Sequence, residues 1–145
     1  MKTSQKAIDQ IANWEGFRAS AYLCPNKIWT VGHGATIGVK EGDVVTHEQA
    51  LERLKKDIEE HEFYVSKHFK GIELTQGQFD AAVSFSFNCG PGNLRKSQWA
   101  RLLIKGDIEG AATAMANWGV KSFKRLPGLK KRRFIESTWL KGLKP

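Results

Sequence analysis

The 145-residue chain is 41% hydrophobic and carries a net charge of +8. This length and composition predict one compact domain with a substantial core, and they exclude a disordered or low-complexity protein. No stretch approaches the ~20 apolar residues of a membrane span, and the N-terminal MKTSQKAIDQIANWEGF lacks the apolar run of a secretory signal. We therefore expect a protein that folds in a cytoplasm, with Cys24 and Cys89 as free thiols.

The positive charge is concentrated in the C-terminal part of the chain. Residues 1–89 carry 10 Lys/Arg and 12 Asp/Glu, whereas residues 90–145 carry 13 Lys/Arg and 3 Asp/Glu, a net charge of +10. Such asymmetry indicates an anionic partner (nucleic acid, a membrane surface or an acidic polymer) or a basic face that only maintains solubility.

The first predicted element is an amphipathic helix. Ile8, Ile11, Ala12 and Glu15 follow the spacing of one helical face, and Gly16 is a natural helix stop. Glu15 therefore lies at the end of an apolar stripe.

Short strands are predicted next, within residues 17–40. RASAYL and IWTV read as strands on either side of CPNK, where Pro-Asn suits the middle of a turn. TIGVK is the candidate for a third strand before the turn at residues 41–43.

The rest of the chain is predicted to be helical. Thr46–Gln49 forms a capping box that starts a helix of about twenty residues, ending near Gly71 and long enough to connect two lobes. A second capping box at Thr75–Gln78 starts a helix that ends at NCGPG. Further helices are predicted in LRKSQWARLLIK, DIEGAATAMANW and LKKRRFIESTWLKG, separated by Gly106, Gly119 and Pro127-Gly128.

Glu15 is the most informative candidate for chemistry. A carboxylate on an apolar face is costly when charged, and a carboxyl that stays protonated can act as a general acid. The alternative is that Glu15 occupies the frayed end of the helix and reaches solvent or pairs with Arg18.

Three more side chains lie close to Glu15 in the sequence. Cys24 in a turn is either a thiol available for chemistry or a small core residue. Its reference pKa of about 8.5 predicts a mostly neutral thiol, which the charge of Lys27 would help to ionise. Thr30 suits an ordinary strand, and His33, between two glycines, has room for a ligand. The four histidines show no metal-ligand spacing.

The segment WEGFRASAYLCPNKIWTVGHG resembles the active-site segment of the phage-type lysozymes, the endolysin muramidases of glycoside hydrolase family 24. In that family eight residues separate a catalytic Glu from an Asp or Cys, and five more precede a Thr. Glu15, Cys24 and Thr30 match this spacing. FNCGPGNL, SQWARLLIKGDIEGAATAMANW and PGLKKRRFIESTW resemble further family segments in the same order. The chain departs from the common pattern in carrying Cys24 where many members have Asp, and in its displaced His33.

The resemblance implies an α+β fold that is mostly helical and two-lobed, with a small β-sheet in the N-terminal lobe and a long connecting helix. It implies a single lysozyme domain over residues 1–145, with a β-containing lobe at about 14–60 and a helical lobe at about 61–145 plus the N-terminal helix. The implied reaction is hydrolysis of the β-1,4 bond between N-acetylmuramic acid and N-acetylglucosamine in peptidoglycan. Glu15 would be the general acid, Cys24 and Thr30 would handle the attacking water, and His33 would contact substrate. No cofactor or metal is expected.

The resemblance also implies partners and a location. A monomer would wait in the host cytoplasm until a holin released it to the cell wall, and its basic C-terminal region would bind the anionic envelope, not nucleic acid. Three alternatives remain open. They are a lytic transglycosylase, a non-catalytic wall-binding protein, and a basic nucleic-acid or membrane-active protein. The last would use the KKRR run with an amphipathic helix of Ile135, Trp139 and Leu143.

Overall fold

The computed structural model describes residues 1–119, 126–143 and 145. In this part of the chain the mostly helical α+β class is confirmed, since seven helices accompany one two-stranded antiparallel sheet. The helices are α1 Gln5–Glu15, α2 His47–His68, α3 Gln76–Cys89, α4 Pro91–Lys96, α5 Gln98–Ile104, α6 Ile108–Ala116 and α7 Pro127–Leu140, and the strands are β1 Arg18–Leu23 and β2 Trp29–Gly32. Of the helices described, none is both long and apolar enough to cross a bilayer.

The chain divides into two compact units. One comprises residues 5–60, and the other comprises residues 1–4 with residues 61–145. α1 therefore belongs with the hairpin, whereas the sequence analysis placed it with the helical lobe. The reason is local, because β1 begins three residues after α1 ends and the His33 ring bonds to the Gly16 carbonyl at the end of α1. The single lysozyme domain over residues 1–145 stays a prediction.

α1 forms as its apolar stripe predicts. Ala7, Ile8 and Ile11 are buried, and Glu15 is the half-buried last residue. The Gly16 N–H donates to the Ala12 carbonyl at 3.0 Å, and Gly16 has φ 72°, a left-handed conformation that glycine adopts without strain.

The predicted third strand at residues 36–40 is wrong. This segment turns instead, with the Val39 N–H donating to the Thr36 carbonyl at 3.2 Å. The segment that does pair with β1 comes after the following turn, where Val44 bridges Ser20. The TIGVK pattern misled because its glycine takes a positive φ of 71°, which bends the chain away from an extended path.

Both predicted capping boxes are confirmed. Thr46 Oγ1 accepts from the Gln49 N–H at 3.1 Å, and the Gln49 side chain accepts from the Thr46 N–H at 3.0 Å. Thr75 and Gln78 make the same reciprocal pair before α3. These pairs satisfy backbone donors that the first helical turn leaves free, so α2 and α3 begin where the sequence predicts.

The single helix predicted across residues 94–105 is wrong, because α4 and α5 are separate. Ser97 has extended backbone angles between them and a buried side chain. Its hydroxyl donates to the Leu94 carbonyl at 2.9 Å and accepts from the Ala100 N–H at 3.4 Å, which caps α5.

Pro127 was predicted to separate two helices, but it begins α7 instead. At this first helical position its missing N–H costs nothing.

The KKRR run divides between surface and core. Lys130 and Lys131 are exposed, whereas Arg132 and Arg133 are 3% and 1% exposed. Both arginines donate to Oε1 of the fully buried Glu136, Arg132 Nε at 3.1 Å and Arg133 Nη2 at 2.9 Å. This part of the predicted basic face is therefore a core ion cluster that joins successive turns of α7.

The same cluster connects α7 to α3. Ser84 Oγ donates to Glu136 Oε1 at 2.6 Å, and Arg133 Nη1 donates to the Cys89 sulfur at 2.8 Å. Burial raises the pKa of the Cys89 thiol, and Arg133 opposes that shift. Cys89 and Cys24 are both free thiols.

Glu136→Ala should lower the free energy of unfolding by about 3–5 kcal/mol, because it leaves two buried guanidiniums without their carboxylate. Chemical denaturation measures this change. Glu109→Ala is the control, since Glu109 makes an exposed ion pair with Lys141, and it should cost about 1 kcal/mol or less. Equal effects of the two substitutions would show that the buried cluster is not a source of stability.

Candidate active site

All four residues predicted for the site lie in the unit of residues 5–60. Glu15 ends α1, Cys24 directly follows β1, Thr30 lies in β2, and His33 lies in the loop after β2. The hairpin and the loop after it therefore carry three of the four side chains.

A tight turn positions the Cys24 side chain. The Lys27 N–H donates to the Cys24 carbonyl at 2.8 Å, and the Cys24 N–H donates to the Ile28 carbonyl at 3.0 Å. Pro25 and Asn26 occupy the middle of this turn, as predicted. Lys27 has φ 59°, the left-handed conformation that completes a three-residue hairpin loop.

Backbone amides of the same turn act on the thiol. The hydrogen bond from the Ile28 backbone is the largest influence that lowers the pKa of Cys24, and partial burial opposes it. Asn26, the Thr30 hydroxyl and the backbone of Cys24 lower the pKa further. The resulting pKa lies below the ordinary value, so this thiol ionises more readily than a free cysteine. Lys27 was the expected source of this effect, whereas amide donors produce it.

Thr30 lies beside Cys24, and its hydroxyl hydrogen-bonds to the Cys24 thiol. Its side chain is buried, and its Oγ1 donates to the Ile28 carbonyl at 3.0 Å. A hydroxyl has one hydrogen, so Thr30 donates either to that carbonyl or to the sulfur. A neutral thiol can donate to Oγ1, whereas a thiolate needs the hydroxyl hydrogen. The structure thus brings Cys24 and Thr30 together as a pair whose hydrogen bonds depend on ionisation.

The loop after β2 is closed by a double hydrogen bond and shaped by two glycines. Val31 and Ala35 exchange two backbone hydrogen bonds of 3.0 Å. A Cβ atom on Gly32 would lie 2.9 Å from the Ala50 side chain of α2, which is closer than packing allows. A Cβ atom on Gly34 would lie 3.8 Å from Glu15 Oε2. Gly34 therefore borders the Glu15 carboxylate, a neighbour that the sequence analysis did not identify.

His33 anchors this loop to the end of α1. Its Nδ1 lies 2.5 Å from the Gly16 carbonyl oxygen and donates to it, because a carbonyl oxygen can only accept. The ring lies 5.6 Å from Phe17, which stacks on His47 at 3.7 Å. These contacts give His33 a positioning role, and its contact with substrate stays a prediction. Within the described residues, no group of three or more His, Cys, Asp or Glu side chains is arranged to hold a metal ion.

Comparison with known families and sequences gives consistent matches. The family described as phage lysozyme matches residues 12–136. An endolysin of Acyrthosiphon pisum secondary endosymbiont phage 1 is 38% identical over 140 residues, which cover 94% of this chain and 95% of that protein. An endolysin of Bacillus phage B103 is 36% identical over 141 residues, which cover 95% of this chain but 53% of that longer protein.

Solved structures give the same result for the fold. The muramidase domain of SpmX from Asticaccaulis excentricus has a TM-score of 0.87 at 34% identity, with 99% of both chains covered. An endolysin from Escherichia coli O157:H7 phage FAHEc1 has a TM-score of 0.88 at 32% identity, with 100% of this chain and 97% of that chain covered.

Thr30→Val should slow alkylation of Cys24 at neutral pH several-fold, because the thiolate loses a hydroxyl donor and its pKa rises. Iodoacetamide rates across a pH series measure this effect, in a Cys89→Ala background that leaves Cys24 as the only thiol. Thr36→Val is the matched control, since Thr36 is exposed in the same unit. The interpretation is wrong if the alkylation profile of the Cys89→Ala background equals that of a cysteine in an unstructured peptide.

Proposed function

This chain belongs to the phage lysozyme family, and from that premise we propose that it is an endolysin. It hydrolyses the β-1,4 bond between N-acetylmuramic acid and N-acetylglucosamine in bacterial peptidoglycan. The observation that supports this proposal best is the pairing of the Cys24 thiol with the Thr30 hydroxyl in the hairpin that follows Glu15.

Glu15 is the general acid in the proposed mechanism. It donates a proton to the glycosidic oxygen as the sugar gains oxocarbenium character. Gly34 has no side chain, and a Cβ atom there would lie 3.8 Å from Glu15 Oε2. This glycine therefore leaves open the space beside the carboxylate. The loop glycine thus favours access of a leaving-group oxygen to the acid.

Cys24 and Thr30 act on the attacking water. The Cys24 thiolate accepts a proton from the water while the Thr30 hydroxyl orients it. The lowered pKa of Cys24 favours this role, because a base must be ionised before it can accept a proton. Attack of water on the face opposite to the leaving group makes the reaction inverting.

A lytic transglycosylase is the second candidate reaction. Such an enzyme also needs an acid, but its sugar supplies the attacking hydroxyl and closes an anhydro ring, so no group has to activate water. The ionisable thiol beside a hydroxyl therefore favours hydrolysis. Mass spectrometry separates the two reactions, because transglycosylase products are lighter by one water. A non-catalytic wall-binding protein would give neither product.

The proposal extends to where the enzyme works. It acts as a monomer on glycan strands, and it stays in the host cytoplasm until a holin opens the inner membrane. Its basic C-terminal region associates with anionic groups of the envelope, with exposed Lys130 and Lys131 among the contributing residues. Arg132 and Arg133 do not contribute because they are buried, and Lys121, Lys124, Arg125 and Lys144 lie outside the described residues. The alternative amphipathic membrane helix is disfavoured, since Trp139 is 1% exposed.

Glu15→Gln should reduce wall hydrolysis by about 10²–10⁴, because the amide keeps the shape of the side chain but has no acidic proton to transfer to the glycosidic oxygen. Clearing of outer-membrane-permeabilised Gram-negative cells measures this loss. Glu41→Gln is the matched control, as Glu41 is an exposed acid in the same unit, and it should clear cells like the wild type. Activity of Glu15→Gln within about tenfold of the wild type would rule out Glu15 as the general acid.

Replacing Lys130 and Lys131 with Gln should weaken binding to purified cell wall without changing the rate on soluble glycan fragments. Added salt should reproduce the weakening, because it screens attraction between exposed charges. Sedimentation with insoluble wall across a salt series measures the binding. If both the double variant and the salt leave binding unchanged, the exposed lysines have no role in wall association.

A further inference from the structure

A pocket of about 260 Å³ lies between the end of α2 and the short helix α4, within the unit that contains residues 61–145. It is lined by Tyr64, Lys67, His68, Pro91, Leu94 and Arg95. None of these residues takes part in the proposed hydrolysis.

Two cations from different helices converge on this pocket. Lys67 lies in the last turn of α2, Arg95 lies in α4, and both are exposed. Among the ion pairs of the described residues, neither has a carboxylate partner. Two positive charges at one pocket repel each other, so an anion bound between them would be stabilised by both.

His68 contributes an unsatisfied buried nitrogen. Its Nε2 is closed to solvent and makes no hydrogen bond to any described residue. Burial lowers the pKa of His68, and the charge of Arg95 lowers it further, which places the guanidinium close enough to act on the imidazole. A buried polar atom without a partner costs free energy that a ligand oxygen would recover.

We propose that this pocket binds a phosphate group, held by Lys67, Arg95 and the Nε2–H of His68. The donors come from three side chains on two helices, and this suits the oxygens of a tetrahedral anion better than the planar pair of a carboxylate. Small side-chain movements are needed to open Nε2 to the bound oxygen. The source is either free inorganic phosphate or a phosphate-bearing polymer of the envelope, and only the second rests on the proposed function.

The competing explanation is purely structural. Lys67 occupies the last turn of α2, where its positive charge stabilises the helix C-terminus. In that case the pocket is an incidental gap, and substitutions of Lys67 would change stability without any response to phosphate.

The test is an NMR titration of the His68 imidazole with inorganic phosphate, compared with chloride at equal ionic strength. In the wild type, phosphate should raise the pKa of His68, because a bound anion favours the imidazolium. Arg95→Gln should weaken phosphate binding by about tenfold or more, and Lys67→Gln should weaken it in the same direction. Without phosphate, Arg95→Gln should itself raise the pKa of His68, since it removes a neighbouring positive charge.

Lys96→Gln and Lys70→Gln are the matched controls. Both lysines are exposed, Lys96 follows Arg95 and Lys70 lies just beyond α2, and neither lines the pocket. They should change phosphate affinity by about twofold or less, as expected for screened surface charges. The proposal is overturned if phosphate shifts His68 no more than chloride does, or if the controls weaken binding as much as Arg95→Gln.

A second arm identifies the source in a Glu15→Gln background, where wall is not digested. If Arg95→Gln lowers binding only to wall fragments that carry a phosphodiester polymer, the polymer is the ligand. If Arg95→Gln lowers binding neither to these fragments nor to fragments without the polymer, while the NMR response to phosphate holds, the ligand is free phosphate. The NMR titration requires no hydrolysis. It can therefore disprove the phosphate site without affecting the muramidase proposal, and loss of the muramidase proposal would leave the NMR result unchanged.

Discussion

The turn from Cys24 to Ile28 is the constraint on which the candidate active site depends. Its left-handed Lys27 closes the hairpin, and this directs the Ile28 amide toward the Cys24 sulfur. The same turn sets Thr30 two residues into the returning strand, where its hydroxyl reaches both the thiol and the Ile28 carbonyl. One backbone arrangement thus supplies the ionisation and the hydrogen-bond geometry that a water-activating group needs.

The proposed general acid, Glu15, depends on a second backbone constraint. Gly16 ends α1 directly after Glu15, and the His33 ring bonds to the Gly16 carbonyl. The loop that carries His33 can approach α2 because Gly32 has no Cβ atom, and Gly34 of the same loop lies beside the Glu15 carboxylate. A Cβ atom at Gly32 would displace the loop, whereas one at Gly34 would only reach ordinary contact distance from the Glu15 carboxylate. Both positions also have a positive φ, which favours glycine.

The sequence predicted the strongest local signals, and it missed two weaker local signals and the tertiary contacts. Both capping boxes and the hairpin turn were predictable, because each depends on residues within four positions of one another. The strand predicted at 36–40 and the single helix predicted at 94–105 do not form, because a glycine bend and the Ser97 cap override the apolar pattern. The burial of Arg132 and Arg133 depends on α3, which lies some fifty positions earlier in the chain. The resemblance to the phage-type lysozymes indicated which side chains to examine, but not the amides that lower the pKa of Cys24.

The central claim is that the Cys24 thiolate is the base that acts on water, and the pH dependence of hydrolysis by three Cys24 variants tests it most directly. A base works only when deprotonated, so activity should rise with pH as the group ionises. Cys24→Asp should stay active with its acidic limb moved to lower pH, since the reference pKa of Asp is about 3.9. Cys24→Ser keeps the shape and a hydrogen-bonding group but has no accessible anion, so it should lose most activity, as should Cys24→Ala. Wild-type rates for both the Ser and the Ala variants would contradict the account and leave Glu15 and Thr30 as sufficient for catalysis.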